Sequence, residues 1–302
     1  MRLLVLGGSG FLSGTVVREA LAAGHEVSIV TRGNRPVPGN INAICADRKD
    51  RNGFAKKLAA ERDWDLVVDC IGFDADDARQ DLSVFSGRCR HLAFVSTDFV
   101  YDPARRVVPQ AEEPAFYLEE GYGGKKRAAE CVFLESGIRN WTIFRPGHIY
   151  GPGSQLGCLP LHGRDPELLV RLKNGEPLRL VGGGLLLQHP VFAPDLAKTI
   201  LSLAGNVTAS GRIFNVANPD IIESRRYYEI IAEVLGVKAV FEAVDLRAFL
   251  AENPDKASFC CDRVSDLSLL TASGLHVPAT PIGEGLRCHV HALQTSVAAQ
   301  AI

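Results

Sequence analysis

The chain has 302 residues, 46% of them hydrophobic and 23% charged, an ordinary globular composition that argues against disorder. At roughly 150 residues per domain the length allows two domains or one large one. Lysine plus arginine number 33 and aspartate plus glutamate 35, a formal net charge of -2. That balance gives no support to a nucleic-acid partner, which would favour a basic face, and Lys125-Lys126-Arg127 is a local basic cluster. No apolar run approaches the roughly 18 residues that span a bilayer, so no membrane segment is expected. The first residues, Met1 to Leu6, run straight into glycines without a leader-like apolar stretch, and a cytoplasmic protein is expected. Eight cysteines form no C-x-x-C pair and read as free thiols.

The first half alternates apolar runs with helical patterns. Strands are predicted at 3–6, 26–30, 43–46, 66–69, 91–96 and 141–144. Helices are predicted between them at 11–23, 54–61, 74–85 and 122–136, with a Gly/Pro/Asn-rich loop at 33–40. Strands separated by helices make βαβ units and a parallel sheet. Such a sheet is covered on both faces, so its strands read as continuous apolar runs, as these do. The second half is less regular. Residues 151–163 are dense in glycine and proline and read as loop. Helices follow at 166–173, 194–204, 227–235 and 246–251, and strands at 212–216 and 239–244. The tail, 295–302, is small and polar and is expected to fray.

Gly7-Gly8-Ser9-Gly10-Phe11-Leu12-Ser13-Gly14 follows the first strand and opens the first helix. Gly7 permits a tight turn there. Gly10 lets a pyrophosphate approach backbone N–H groups at the positive end of the helix. Ser9, Phe11 and Leu12 belong to the same candidate cofactor loop. The end of the second strand carries no acid, which in this position would bind the ribose hydroxyls of NAD. It carries Arg32 and Arg35 instead, which suit a 2′-phosphate. The cofactor is therefore read as NAD or NADP, leaning to NADP. Asp47 and Arg48 follow the third strand, within reach of an adenine.

Tyr122-Gly123-Gly124-Lys125-Lys126 is a Y-x-x-x-K, and residues four apart share one helix face. A free tyrosine titrates near pH 10, too high for a base at neutral pH. A nearby ammonium stabilises the phenolate, which then takes a hydroxyl proton as hydride leaves the same carbon. Ser96-Thr97-Asp98-Phe99-Val100-Tyr101 sits at a strand end, where open α/β sheets bind ligands, and Thr97 is placed to hold the substrate oxygen. Arg145-Pro146-Gly147-His148-Ile149-Tyr150 follows the next strand end.

These pieces, in this order, resemble the extended and atypical short-chain dehydrogenase/reductases, the NAD-dependent epimerase/dehydratase family, over the chain to about Leu286. The resemblance implies a Rossmann-type doubly wound parallel α/β sheet over 1–150 and about 190–217. A smaller, mostly C-terminal α/β substrate-binding lobe would be built from 151–189 and about 218–302. It implies Tyr122 as catalytic base or acid, Lys126 on the nicotinamide ribose and Thr97 on the reacting hydroxyl. Ser96 and Pro146 join the cofactor set. It also implies a homodimer through helices 74–85 and 122–136.

Two departures narrow the substrate. The acid pair of sugar dehydratases is replaced by Asp98-Phe99, and the arginine that grips a sugar-nucleotide diphosphate is replaced by Gln188. Arg179 is an alternative phosphate partner, and Asp98 and His148 are candidate substrate contacts. His289 and His291, beside Cys288, have no further ligand at a metal-binding spacing, so no metal is expected.

The leading expectation is an NAD(P)-dependent epimerase acting through a transient keto intermediate on a nucleotide sugar or nucleoside/nucleotide sugar. The runner-up is an NADPH-dependent ketoreductase of a keto-sugar or related small molecule. The alternative of another class is a non-catalytic cofactor-sensing or RNA-binding protein.

Overall fold

The apolar runs of the first half become the strands of one sheet. A computed structural model describes residues 1–34, 37, 41–158 and 160–300, with side chains through 295. In chain order the elements begin β1 (Arg2–Leu6), α1 (Phe11–Ala22), β2 (Glu26–Thr31), β3 (Asn42–Cys45), α2 (Arg51–Ala59) and β4 (Trp64–Asp69). They continue with α3 (Ala75–Phe85), β5 (Cys89–Val95), α4 (Gly121–Glu135), β6 (Trp141–Pro146), β7 (Ile149–Tyr150) and α5 (Leu168–Lys173). Next come β8 (Leu178–Val181), β9 (Leu187–Gln188), β10 (Val191–Phe192), α6 (Ala193–Leu201), β11 (Arg212–Val216) and β12 (Ile222–Glu223). The chain ends with α7 (Ser224–Leu235), β13 (Phe241–Val244), α8 (Leu246–Glu252), α9 (Ser268–Thr271) and α10 (Ile282–Gln300).

Seven parallel strands pair in the order β11-β6-β5-β4-β1-β2-β3. Leu3 lies opposite both Val27 and Leu66, so β1 is flanked by β2 on one side and β4 on the other. The order reverses at that point, and the crevice beyond the strand C-termini there is where such sheets take ligands. One apolar layer joins Val5, Val16 and Val68 to Leu196 and Ile200 of α6 and to Leu270 and Leu275. A second, on the other face, joins Leu4, Phe54, Phe85, Phe94 and Phe133. The 191–216 segment thus returns to the sheet, and β11 becomes its edge strand. The rest of the second half builds a separate core from Leu168, Leu178, Tyr227, Tyr228 and Leu286.

The tail differs from the sequence reading. Instead of fraying from Thr295, α10 continues through Gln300. Ile282, Leu286, His289, Val290 and Leu293 form its inward stripe, and a histidine in that stripe hides the pattern from a hydrophobicity reading. His289 is fully buried. Its Nδ1 accepts from the Gly151 N–H at 3.1 Å and its Nε2 donates to the Ser154 carbonyl at 2.8 Å, which fixes a neutral ring. Cys288 and His291 are exposed. Among the described residues no helix is long and apolar enough to cross a membrane.

Candidate active site

The glycine loop turns because its backbone must pass against β2: a Cβ on Gly8 would lie 2.6 Å from Ile29, and Gly8 holds φ at 73°. Gly10 then caps α1, its N–H donating to Ser13 Oγ at 3.0 Å. The first turn of α1 holds no acid, so its unpaired N–H groups and positive end stay available to an anion. A cavity of about 420 Å³ opens over this loop, lined by Gly7, Ser9, Gly10, Arg32, Asp47 and Arg48 among others. Phe11 starts α1 and Leu12 packs into the core beneath. Arg32 stands exposed at the end of β2, while Arg35 lies outside the described residues. Asp47 is exposed and accepts from the Lys49 N–H at 2.9 Å. The loop, the helix end and the cavity fit a dinucleotide cofactor.

Arg48 is buried among three carboxylates: Asp69 at 2.9 Å, Asp81 at 2.8 Å and Asp77 at 3.3 Å. Burial pushes Asp69 toward protonation, but Arg48 outweighs it and holds the group below the usual carboxylate range. Asp81 goes the other way, raised by burial and by its neighbour Asp69. Asp69 also ties down the turn beyond β4, accepting from the Ile71 and Gly72 N–H groups at 2.7 and 2.9 Å. The Gly72 carbonyl in turn accepts from Lys126 Nζ at 2.6 Å, and the Val95 carbonyl accepts from the same amine at 2.7 Å. Burial draws the Lys126 amine down to about 8. Two of its three donors are therefore engaged, one with the turn beyond β4 and one with the end of β5.

The start of α4 packs directly on the turn after β5. A Cβ on Gly123 would fall 1.9 Å from the Phe99 carbonyl oxygen, so the residue after Tyr122 has to be glycine for this approach. Thr97 caps that turn, accepting from the Phe99 N–H at 3.2 Å, and it lines the same cavity as Tyr122. Tyr122 is half exposed. Its phenol sits above the ordinary value, from burial first and from Asp98 second, while Thr97 and Arg164 pull it down. The expected ammonium influence of Lys126 is not among these causes. Ser96 turns the other way and donates to Glu130 at 2.6 Å. Glu130 also takes two hydrogen bonds from Arg145, at 3.0 and 2.7 Å, and this fully buried pair fastens α4 to β6.

A second cavity of about 320 Å³ brings together Thr97, Tyr122, Pro146, His148, Arg164 and Arg263. His148 is drawn down to about 3 by burial and by the two arginines, so it is a neutral ring. Its Nε2 has no hydrogen-bond partner among the described residues. Asp98 is not free for substrate: it is buried and paired with Arg263 through two bonds of 2.8 Å and with Arg106 at 3.1 Å. Those arginines outweigh burial and hold it low.

The profile of the NAD dependent epimerase/dehydratase family matches residues 3–217. The chain belongs to the NAD-dependent epimerase/dehydratase family. It is 30% identical to the 2'-dehydrokanamycin reductase of Streptomyces kanamyceticus over 89% of this chain and 78% of that protein. It is 29% identical to the chloroplast stem-loop binding protein of 41 kDa b of Arabidopsis thaliana, over 72% of this chain but only 58% of that one. A similar solved fold is the dTDP-glucose 4,6-dehydratase of Bacillus anthracis in complex with NAD, at TM-score 0.80 and 17% identity, covering 99% and 98% of the two chains.

The family's Tyr122 and Thr97 stand at the second cavity, with Pro146 and His148. Lys126 is buried and does not line that cavity. Arg179 is elsewhere: it pairs with Glu242 at 3.5 Å on an exposed face. Gln188 is buried, and its backbone bridges to that of Arg263. Sequence reading missed Arg106, Arg164, Arg263 and Glu130, and it named Arg145 only as the start of a strand-end motif, whereas Arg145 lies within β6. Glu130 had a signal, since it continues the Tyr122–Lys126 face of α4, and Arg145 is the lone charge in the apolar run of β6. Arg164 and Arg263 carry no local pattern at all.

Proposed function

We propose that this protein is an NADP(H)-dependent ketoreductase acting on a keto-sugar, free or nucleotide-linked. One observation carries the reading: Tyr122 and Thr97 share a cavity at the strand ends, beside a glycine-loop cleft whose second strand ends in Arg32 and not in an acid. When bound, the nicotinamide supplies the hydride. Thr97 holds the carbonyl oxygen, and Tyr122 gives it the phenolic proton as it becomes a hydroxyl. The third donor of Lys126 orients the cofactor ribose, and the guanidinium of Arg32 pairs with the 2′-phosphate. The family's epimerase chemistry uses the same residues and was the first expectation. The reductase reading is preferred because of Arg32, and because a relative matched over most of both chains is a 2'-dehydrokanamycin reductase. RNA binding is disfavoured by the net charge of -2 and by the burial of Arg48, Arg145 and Arg263 in ion pairs.

The test is an assay of purified protein with NADPH and a panel of keto-sugars. Consumption of NADPH equal to the alcohol formed supports the proposal. Interconversion of sugar epimers by protein carrying its own NAD, with no added cofactor, refutes it in favour of the epimerase.

A further inference from the structure

The groups facing the Tyr122 phenol are Asp98, Thr97, Arg263, His148 and Arg164, with Lys126 one turn along α4. Their charges are not equivalent. Asp98 and Arg263 answer each other, and Arg106 adds a second guanidinium to the same carboxylate. His148 is neutral. Lys126 is turned to the carbonyls of Gly72 and Val95. Arg164 is different. Among the described residues it has no ion pair and no hydrogen bond, and its guanidinium rests over the Phe11 ring at 5.5 Å. It therefore stands between the substrate cavity and the helix end that opens the cofactor cleft.

The backbone at Arg164 is also unusual. Its φ of 51° is the one left-handed non-glycine conformation among the described residues. Such a conformation persists only where its surroundings enforce it, and it concentrates at functional sites. Here the surroundings are plain. The Asp165 N–H donates to the Leu156 carbonyl at 2.8 Å, the His162 ring bonds the Arg179 carbonyl at 3.0 Å, and the Asp165 carboxylate faces Arg171 at 3.5 Å. The turn delivers one unpaired cation to the cavity wall.

We propose that Arg164 is a second cation acting on Tyr122, stabilising its phenolate from across the cavity in addition to Lys126, whose amine is bonded to the Gly72 and Val95 carbonyls. This rests on the reading of Tyr122 as the proton-transfer group. Arg164 acts through Tyr122 and is a positioning residue in that sense. Its charge draws down both Tyr122 and His148, as a guanidinium open to the cavity must.

The test is an ultraviolet difference titration of tyrosine in the wild type, Arg164→Gly and Arg164→Lys chains. Each is read against the same chain carrying Tyr122→Phe, so that the Tyr122 signal is isolated from the other five tyrosines of the six in the chain. Glycine accepts this φ without strain, so Arg164→Gly removes the charge without risking the fold. The Tyr122 midpoint should move to higher pH in Arg164→Gly and stay near the wild-type value in Arg164→Lys. With an active substrate, kcat at neutral pH should fall roughly tenfold in Arg164→Gly and recover as pH rises in the alcohol-oxidising direction. An unmoved midpoint in Arg164→Gly overturns the proposal, and so does a midpoint in Arg164→Lys that rises as far as in Arg164→Gly. A shifted midpoint in a protein that turns over no keto-sugar would uphold the electrostatic claim and count against the functional reading alone.

Discussion

Two buried charge clusters flank the strand ends, and they are built in opposite senses. On the cofactor side one arginine, Arg48, is set among Asp69, Asp77 and Asp81, with Lys49 and Arg51 reaching Asp77 from the rim. On the substrate side one aspartate, Asp98, is set between Arg106 and Arg263, and Arg164 stands unpaired nearby. The first cluster is closed within 48–81, although Arg48 Nε and Asp81 Oδ2 find no hydrogen-bond partner among the described residues. The second is gathered from residues as far apart as 98 and 263 and keeps an excess of positive charge. The cofactor side is thus a locally assembled, acid-rich cluster, and the substrate side a long-range one with surplus positive charge.

The two clusters should fail differently. Removing one partner of a buried ion pair costs roughly 3–5 kcal/mol because the other charge is stranded. Asp98→Asn strands arginines, which cannot shed their protons. Its deficit in urea melts should therefore be the same at about pH 7 and about pH 4.5. Arg48→Met strands carboxylates, whose folded-state pKa values are then raised. Stability from such groups is present at low pH and lost as pH rises through the raised value, so this deficit should shrink on acidification. Equal pH behaviour of the two variants would break the contrast.

A neutral reference sharpens it. His91 Nε2 donates to Thr142 Oγ1 at 2.8 Å, since the Thr142 hydroxyl proton is given to the Ala209 carbonyl at 2.7 Å. Burial draws His91 down to about 4. The unfolded chain takes up that proton first, so stability should decline by about 3 kcal/mol as pH falls from about 6.5 to 4. Stability curves of His91→Gln should be flatter over that window. The smallest expected effect is on binding. In fluorescence titrations Arg32→Ala should lose roughly 10- to 100-fold in NADP affinity, the worth of a charge-assisted contact, and little in NAD affinity. Equal losses for both cofactors would remove the case for NADP.

The same contrast explains what could be read from the chain. The sheet, the glycine loop and the Tyr122–Lys126 face are local, and periodicity and spacing announce them. Lys126 was legible as a residue but not in its contacts, because its partners are backbone carbonyls of Gly72 and Val95, which leave no mark on sequence. Asp98 was legible as polar at a strand end, but its neutralisation comes from Arg263, 165 positions away. Arg164 is one arginine in a glycine-rich loop, and only its φ and its place over Phe11 distinguish it.

The central claim is that Tyr122 moves a proton to a keto-sugar oxygen as hydride arrives from added cofactor. It is tested most directly by following deuterium from C4-labelled NADPH into the alcohol product, with wild type and Tyr122→Phe side by side. The account predicts one deuterium per product molecule and a drop in kcat of roughly 10²- to 10⁴-fold in the variant, with the fold and NADPH binding intact. Label transfer at an unchanged rate in Tyr122→Phe would contradict it.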